Sequence, residues 1–179
     1  RLGVTVWLQR PVTGLGDGWF EAGGERVLAR TLLWAAGVQA SPLGAALAAQ
    51  AGAEVDRAGR VRVLPDLSVP GHPEILVAGD LAALADAAGR PVPGIAPAAK
   101  QMGAHAGRNI AARLAGRPAA PFRYRDYGNL ATIGRQAAVV DSLGLTLSGA
   151  PAWWFWLLAH VWFLIGFRNR AVVLFDWAW

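Results

Sequence analysis

Apolar positions along the chain fall into two rhythms, short runs ended by glycine and longer stretches of helical period. Val4-Thr5-Val6-Trp7-Leu8 alternates and reads as a strand. After a loop with Gly14, Gly16 and Gly18, the runs Trp19-Phe20-Glu21 and Glu25-Arg26-Val27-Leu28 flank Ala22-Gly23-Gly24. Gly-Gly supplies positive φ at little cost, so a hairpin is expected there. The three spaced glycines lack a preceding strand and a following helix, which favours a plain turn over a phosphate loop. Thr31 to Gly37 (TLLWAAG) reads as an apolar strand ending in small residues. Pro42 then allows a helix start, and Leu43 to Ala51 reads as a short helix stopped by Gly52. Arg60 to Val63 alternates again, after a turn at Ala58-Gly59.

The stretch from Glu74 to Leu114 organises the rest. Ile75-Leu76-Val77-Ala78 is wholly apolar and stops at Gly79-Asp80, the pattern of a strand buried on both faces of an α/β sheet. Ligands of such sheets sit beyond the carboxyl ends of the strands, where glycine lets them approach the backbone and a carboxylate accepts hydrogen bonds from hydroxyls. Asp80 reads equally well as the cap of a helix from Leu81 to Ala88. A second helix, with Pro97 as its first residue, is expected to run to Leu114 and stop at Gly116-Arg117-Pro118. Its start offers free N–H groups and the positive end of a dipole. A stripe read as one of small residues runs along it at Ala99, Gly103, Ala106, Gly107 and Ile110, and the glycines imply close packing.

Downstream, Phe122 to Tyr127 alternates as a strand, and Leu130 to Gly134 with Ala137 to Val140 reads as a pair turning at Gly134-Arg135-Gln136. The tail then changes character: no Asp, Glu, Lys or Arg occurs between Ser142 and Phe167. Trp153 to Phe167 is apolar on every side except at His160 and Gly166, which points to lipid more than to a core. At 15 residues this stretch is shorter than the roughly 20 a spanning helix needs, so an inserted anchor is favoured over a transmembrane helix. Trp153, Trp154, Trp156 and Trp162 suit the headgroup level, and Arg168 and Arg170 suit cations snorkelling toward it.

Composition narrows the picture. The chain has 179 residues and a net charge of +5, carried almost wholly by arginine. No aromatic residue interleaves with an arginine cluster, so an anionic membrane is the better partner and nucleic acid is not expected. Cysteine is absent, which excludes disulfides and thiolate chemistry, and His72, His105 and His160 lack metal-ligand spacing. The first residues already lie inside a strand pattern, and the chain is read as the C-terminal part of a longer polypeptide.

In order, the pieces TLLWAAGV (31–38), ILVAGDLA (75–82), GIAPAAKQMG (94–103), YRDYGNLATIGRQAAV (124–139) and LIGFRNRAVVLFDWAW (164–179) resemble the C-terminal half of a type II NADH:quinone oxidoreductase. That family is single-subunit and does not pump protons. The resemblance implies part of an α/β fold with two dinucleotide-binding domains, a small β-rich C-terminal part and a membrane-associating helical tail. Its expected divisions are 1–42 (end of the NADH-binding domain and crossover strand), 43–118 (C-terminal part of the FAD-binding domain), 119–150 (β-rich C-terminal segment) and 151–179 (membrane-associating tail). It implies FAD as cofactor and NADH as substrate, with electrons passing to a quinone in a respiratory chain at the cytoplasmic face of a bacterial membrane. A monotopic or peripheral attachment is favoured, and the family leaves room for a homodimer.

By the same resemblance Asp80, with Gly79, binds the ribityl or pyrophosphate region of FAD, and Ala36-Gly37 matches a turn near the cofactor. The family's AQxAxQ helix start lies under the flavin ring and lines the quinone pocket. Ala96, Ala99 and Gln101 match it, while Pro97 replaces the first glutamine and Ile95 precedes it. The helix mouth at Ala98-Ala99 would stabilise negative charge on reduced flavin. No side chain is required as an acid–base catalyst. Two other readings remain open, a related flavoprotein with a different acceptor and a non-catalytic anchoring module in which Asp80 only caps a helix.

Overall fold

The computed structural model describes residues 3–142, 144–164 and 166–178. The chain divides into two units, residues 1–39 and 40–179, and each is described by itself.

In the first unit, β1 (Val12–Gly16), β2 (Trp19–Ala22) and β3 (Glu25–Leu28) form an antiparallel meander in chain order. The expected hairpin is β2–β3, with Trp19 opposite Leu28 and Ala22 opposite Glu25 around Gly23 and Gly24, both at positive φ. The strands expected at Val4–Leu8 and Thr31–Gly37 do not form. Both stretches are exposed and pair with no strand among the described residues, and an apolar pattern without a ladder to join stays irregular.

The second unit begins with α1 (Leu43–Ala51), which ends at Gly52 in the left-handed conformation as its sequence predicts. Two short pairs follow: β4 (Val61–Arg62) lies parallel to β7 (Ala82–Ala83), and β5 (Ser68–Val69) antiparallel to β6 (His72–Leu76). The apolar run at Ile75–Ala78 is therefore the end of a hairpin strand and not the centre of a parallel sheet. Val77, just beyond it, is buried and donates its N–H to the Leu67 carbonyl at 2.9 Å. Val61, Leu67, Val69, Val77, Ala82, Val92, Ala98 and Met102 make the core here.

The helix expected from Leu81 to Ala88 is replaced by a tight loop, and the cause is local. Asp86 Oδ1 accepts the N–H groups of Ala88 and Arg90, both at 2.9 Å, while Oδ2 takes the Arg90 Nε–H at 2.9 Å. These bonds offer the backbone an alternative to helix, completed by Gly89 at φ +76°. The same device occurs at Asp56, whose carboxylate holds Ala58, Arg60 N and Arg60 Nε with Gly59 at φ +81°. In both loops the aspartate carboxyl is held below its ordinary range, first by the amide of the arginine that closes the loop.

The long helix α2 spans Ala96–Leu114, one residue earlier than expected, with Pro97 in second place. Beyond it residues 120–127 form no strand. A second meander follows, β8 (Asn129–Gly134), β9 (Ala137–Ser142) and β10 (Leu145–Gly149), with β9 in the middle.

The tail forms two helices, α3 (Ala150–Phe163) and α4 (Phe167–Ala178), where one apolar helix was expected. Extended backbone at Leu164 and Gly166 at φ +85° make the break. Among the described residues no helix is long and apolar enough to cross a membrane. One face of α3 covers the meander, where Ala152, Trp153 and Trp156 pack on Ala138, Val140, Leu130 and Leu147. The opposite face leaves Trp154, Leu158 and Trp162 exposed.

Candidate cofactor site

The site begins where β6 gives out. Ala78 is extended, and Gly79 turns the chain at φ +75° into a single 3₁₀ turn, Gly79–Leu81. That turn rests on the start of α2. The Gly79 N–H points to Met102 Sδ at 3.2 Å, and a Cβ on Gly79 would stand 3.3 Å from the Ala99 Cβ. Only a bare backbone in the left-handed region makes this approach without strain. Asp80 is exposed, and its carboxylate lies beside Gly94, where an added Cβ would be 3.8 Å from Oδ1. Asp80 makes no hydrogen bond or ion pair among the described residues, and the helix it would have capped is absent.

Ile95 leads into α2 with extended backbone and no capping side chain. Ala99 N–H returns to the Ile95 carbonyl at 3.0 Å, and Pro97 has no N–H. The N–H groups of Ala96 and Ala98 have no acceptor among the described residues. Ala98 is 1 % exposed and faces the core. Thus Gly79, Asp80, Ile95, Pro97, Ala98 and Ala99 share one locality, and the open carboxylate stands near the positive end of a long helix.

Other residues singled out from the sequence lie elsewhere. Ala36 and Gly37 are in the first unit, exposed and irregular, with Gly37 at φ +83°. Gln101 sits one turn into α2, and both ends of its amide are engaged. Nε2 donates to the Arg125 carbonyl at 2.9 Å, and Oε1 accepts the Arg125 N–H at 3.0 Å. Gly103 and Gly107 do not pack closely, since a Cβ on either would meet nothing within 4 Å among the described residues.

In the tail Trp156 stacks on Trp177 at 4.9 Å, and Trp153 meets Trp154 edge-on at 5.0 Å. Arg170 donates to the carbonyls of Leu164 and Trp162, both at 3.0 Å, and so closes the end of α3. Arg168 is exposed. Sequence reasoning missed Met102, Gly94 and Asn109. Asn109 carried a signal: Gln101, His105 and Asn109 repeat every four residues on one helix face.

The family model for pyridine nucleotide-disulphide oxidoreductases matches residues 2–103, and the chain belongs to that family. The model for the NDH2 C-terminal domain matches residues 127–179. Among curated relatives, the type II NADH:quinone oxidoreductase Ndh of Mycobacterium tuberculosis is 44% identical over 155 residues, 85% of this chain and 32% of the relative. NdhA of the same organism is 43% identical over 162 residues, 88% of this chain and 33% of the relative. Demethylphylloquinone reductase NdbB of Synechocystis is 36% identical over 121 residues, 68% of this chain and 29% of the relative. The chain spans about a third of the length of these proteins.

Proposed function

We propose that this chain is part of an FAD-dependent NADH dehydrogenase that passes electrons from NADH to a membrane quinone in a respiratory chain, without pumping protons. The observation that carries the reading is the Gly79–Asp80 turn seated on the first turns of α2. Its residues fit FAD. An exposed carboxylate without a partner among the described residues suits sugar or ribityl hydroxyls, a bare glycine admits a close ligand, and the free N–H group of the exposed Ala96 suits partial negative charge. When bound, FAD supplies the two-electron chemistry that links hydride from NADH to reduction of a quinone. The chain's own contribution is to bind and to tune: Gly79 and Asp80 hold the cofactor. The mouth of α2 at Ala98-Ala99 lowers the cost of negative charge nearby. Ile95 and Pro97 line the quinone approach, with Gln101 behind them.

Support comes from the two family matches in order along the chain and from relatives whose names specify NADH and quinone. The divisions 1–42, 43–118, 119–150 and 151–179 serve as NADH-binding remnant, FAD-binding part, β-rich segment and tail. The exposed aromatic face of α3 and α4 makes the tail a peripheral foot on the cytoplasmic face of a bacterial membrane. A purely anchoring role for the chain draws no support from Asp80, which caps no helix.

In the intact flavin-loaded protein, Asp80→Ala is expected to lose most of its flavin. The ratio of flavin to protein absorbance after purification measures this, and a fully yellow variant overturns the assignment.

A further inference from the structure

Between the two family matches lies a stretch, residues 104–126, whose backbone is held in an unusual way. From Ala120 to Arg125 the chain passes along α2 without joining a ladder. Its polar backbone groups still need partners, and side chains of α2 supply them. Asn109, 2 % exposed, donates from Nδ2 to the Ala120 carbonyl at 3.0 Å and to the Asp66 carbonyl at 3.1 Å, while its Oδ1 accepts the Ala120 N–H at 3.0 Å. His105 Nε2 lies 2.8 Å from the same Ala120 carbonyl, and its ring meets Phe122 edge-on at 5.5 Å. Gln101 makes the matching two-bond clasp on Arg125. Phe122 N–H goes to Pro65 O at 2.7 Å, and Phe122 and Tyr124 pack on the core around Met102.

Two amide side chains thus imitate the edge of a neighbouring strand, one at each end of the strap. They are eight residues apart on one face of α2, ~12 Å along its axis. The five-residue span from Ala120 to Arg125 reaches at most about 18 Å when fully extended, enough to bridge the two amides with slack to spare. It runs antiparallel to α2, back toward the helix mouth. It then enters the β8–β10 meander at Gly128, where a Cβ would overlap the Asp141 carbonyl. The strap is therefore held by an amide at each end, and by a close backbone approach at Gly128 where it meets the meander.

We infer that Gln101 and Asn109 are positioning residues that set the C-terminal meander and tail against the mouth of α2, and thereby govern access of a quinone arriving from the membrane. Gln101 acts through Arg125 and not by touching the acceptor. The inference rests on the proposed function, since it assigns these residues a part in quinone delivery.

The test uses the intact flavin-loaded protein. Asn109→Asp keeps the acceptor for Ala120 N–H and removes both donated bonds. Arg125→Pro removes the N–H that Gln101 accepts and leaves α2 untouched. Each is expected to raise hydrogen exchange in residues 118–127, keep flavin content, and leave NADH-driven ferricyanide reduction near wild type. Quinone reduction should fall about tenfold, the scale expected for misplacement by about an ångström or less. If Asn109→Asp fails to fold, Arg125→Pro decides. An unchanged ratio of quinone to ferricyanide rates, an equal fall in both, or unchanged exchange in 118–127 overturns the inference. A wild-type protein that reduces ferricyanide but no quinone sinks the functional reading instead, and the exchange data then judge the clasp alone.

Discussion

Replacing Gly79 by alanine tests the geometry of the candidate site most directly. At φ +75° a residue with a Cβ costs about 1–2 kcal/mol. The new methyl would also stand 3.3 Å from the Ala99 Cβ, so the first turn of α2 must give way by a few tenths of an ångström. Overpacking of this kind costs roughly 1–2 kcal/mol more. A total of about 2–4 kcal/mol corresponds to a fall in Tm of about 5–15 °C. On the proposed reading the cofactor sits against this turn and loses contact as Ala98 and Ala99 move, and each ~1.4 kcal/mol lost weakens its binding about tenfold. Gly107→Ala is the control on the same helix. A Cβ there meets nothing within 4 Å among the described residues, and alanine gains about 0.5–1 kcal/mol in a helix interior. Thermal unfolding with flavin fluorescence as a second channel reads both quantities. Equal Tm shifts for the two variants, or a Gly79→Ala protein with full flavin content, would refute the close-approach argument.

Two further expectations follow from ion pairing and from the tail. Burial by itself would raise the Asp66 carboxyl, but bonds from the Ser68 hydroxyl and amide and from Arg113, at 2.7 Å, outweigh it and hold the group below its ordinary range. A lowered folded pKa gives stability that is present above the unfolded value and is lost as pH falls through the folded one. Asp66→Asn should therefore cost about 1–2 kcal/mol at neutral pH, partial exposure included, and much less in acid. Denaturation midpoints at the two pH values check this, and an equal gap at both would refute it. Replacing Trp154, Leu158 and Trp162 of α3 together by serine should weaken vesicle binding by tenfold or more in high salt, on the scale of about 1.5–3 kcal/mol per buried apolar side chain. Co-sedimentation equal to wild type would show that the exposed face does not enter lipid.

Local chemistry was readable wherever the chain interacts with itself nearby. The β2–β3 hairpin, α1 with its Gly52 stop, α2 and the β8–β9 pair all follow from turn residues and period. The Asp86 loop is equally local, although an apolar run precedes it. The repeated D-x-A-G-R at Asp56 and Asp86 was the clue that side-chain oxygens, not helix, would claim those amides. Of the candidate site, the Gly79-Asp80 corner and the helix mouth were legible, because glycine, an acidic residue and proline carry conformational meaning on their own.

Sequence alone determined the small residues, the helix start, the arginine excess and the apolar tail, since each is a property of side chains read in place. Only the tertiary structure decided that Gly79 rests on Ala99 and Met102, that Asn109 and Gln101 clasp residues 120–125, and that one face of α3 belongs to a core. The physical reason is that a hydrogen bond or a packing contact between residues distant in sequence is set by which surfaces the folded chain brings together. Nothing in the local pattern of Asn109 names Ala120 as its partner, although its period on α2 showed which way it would face.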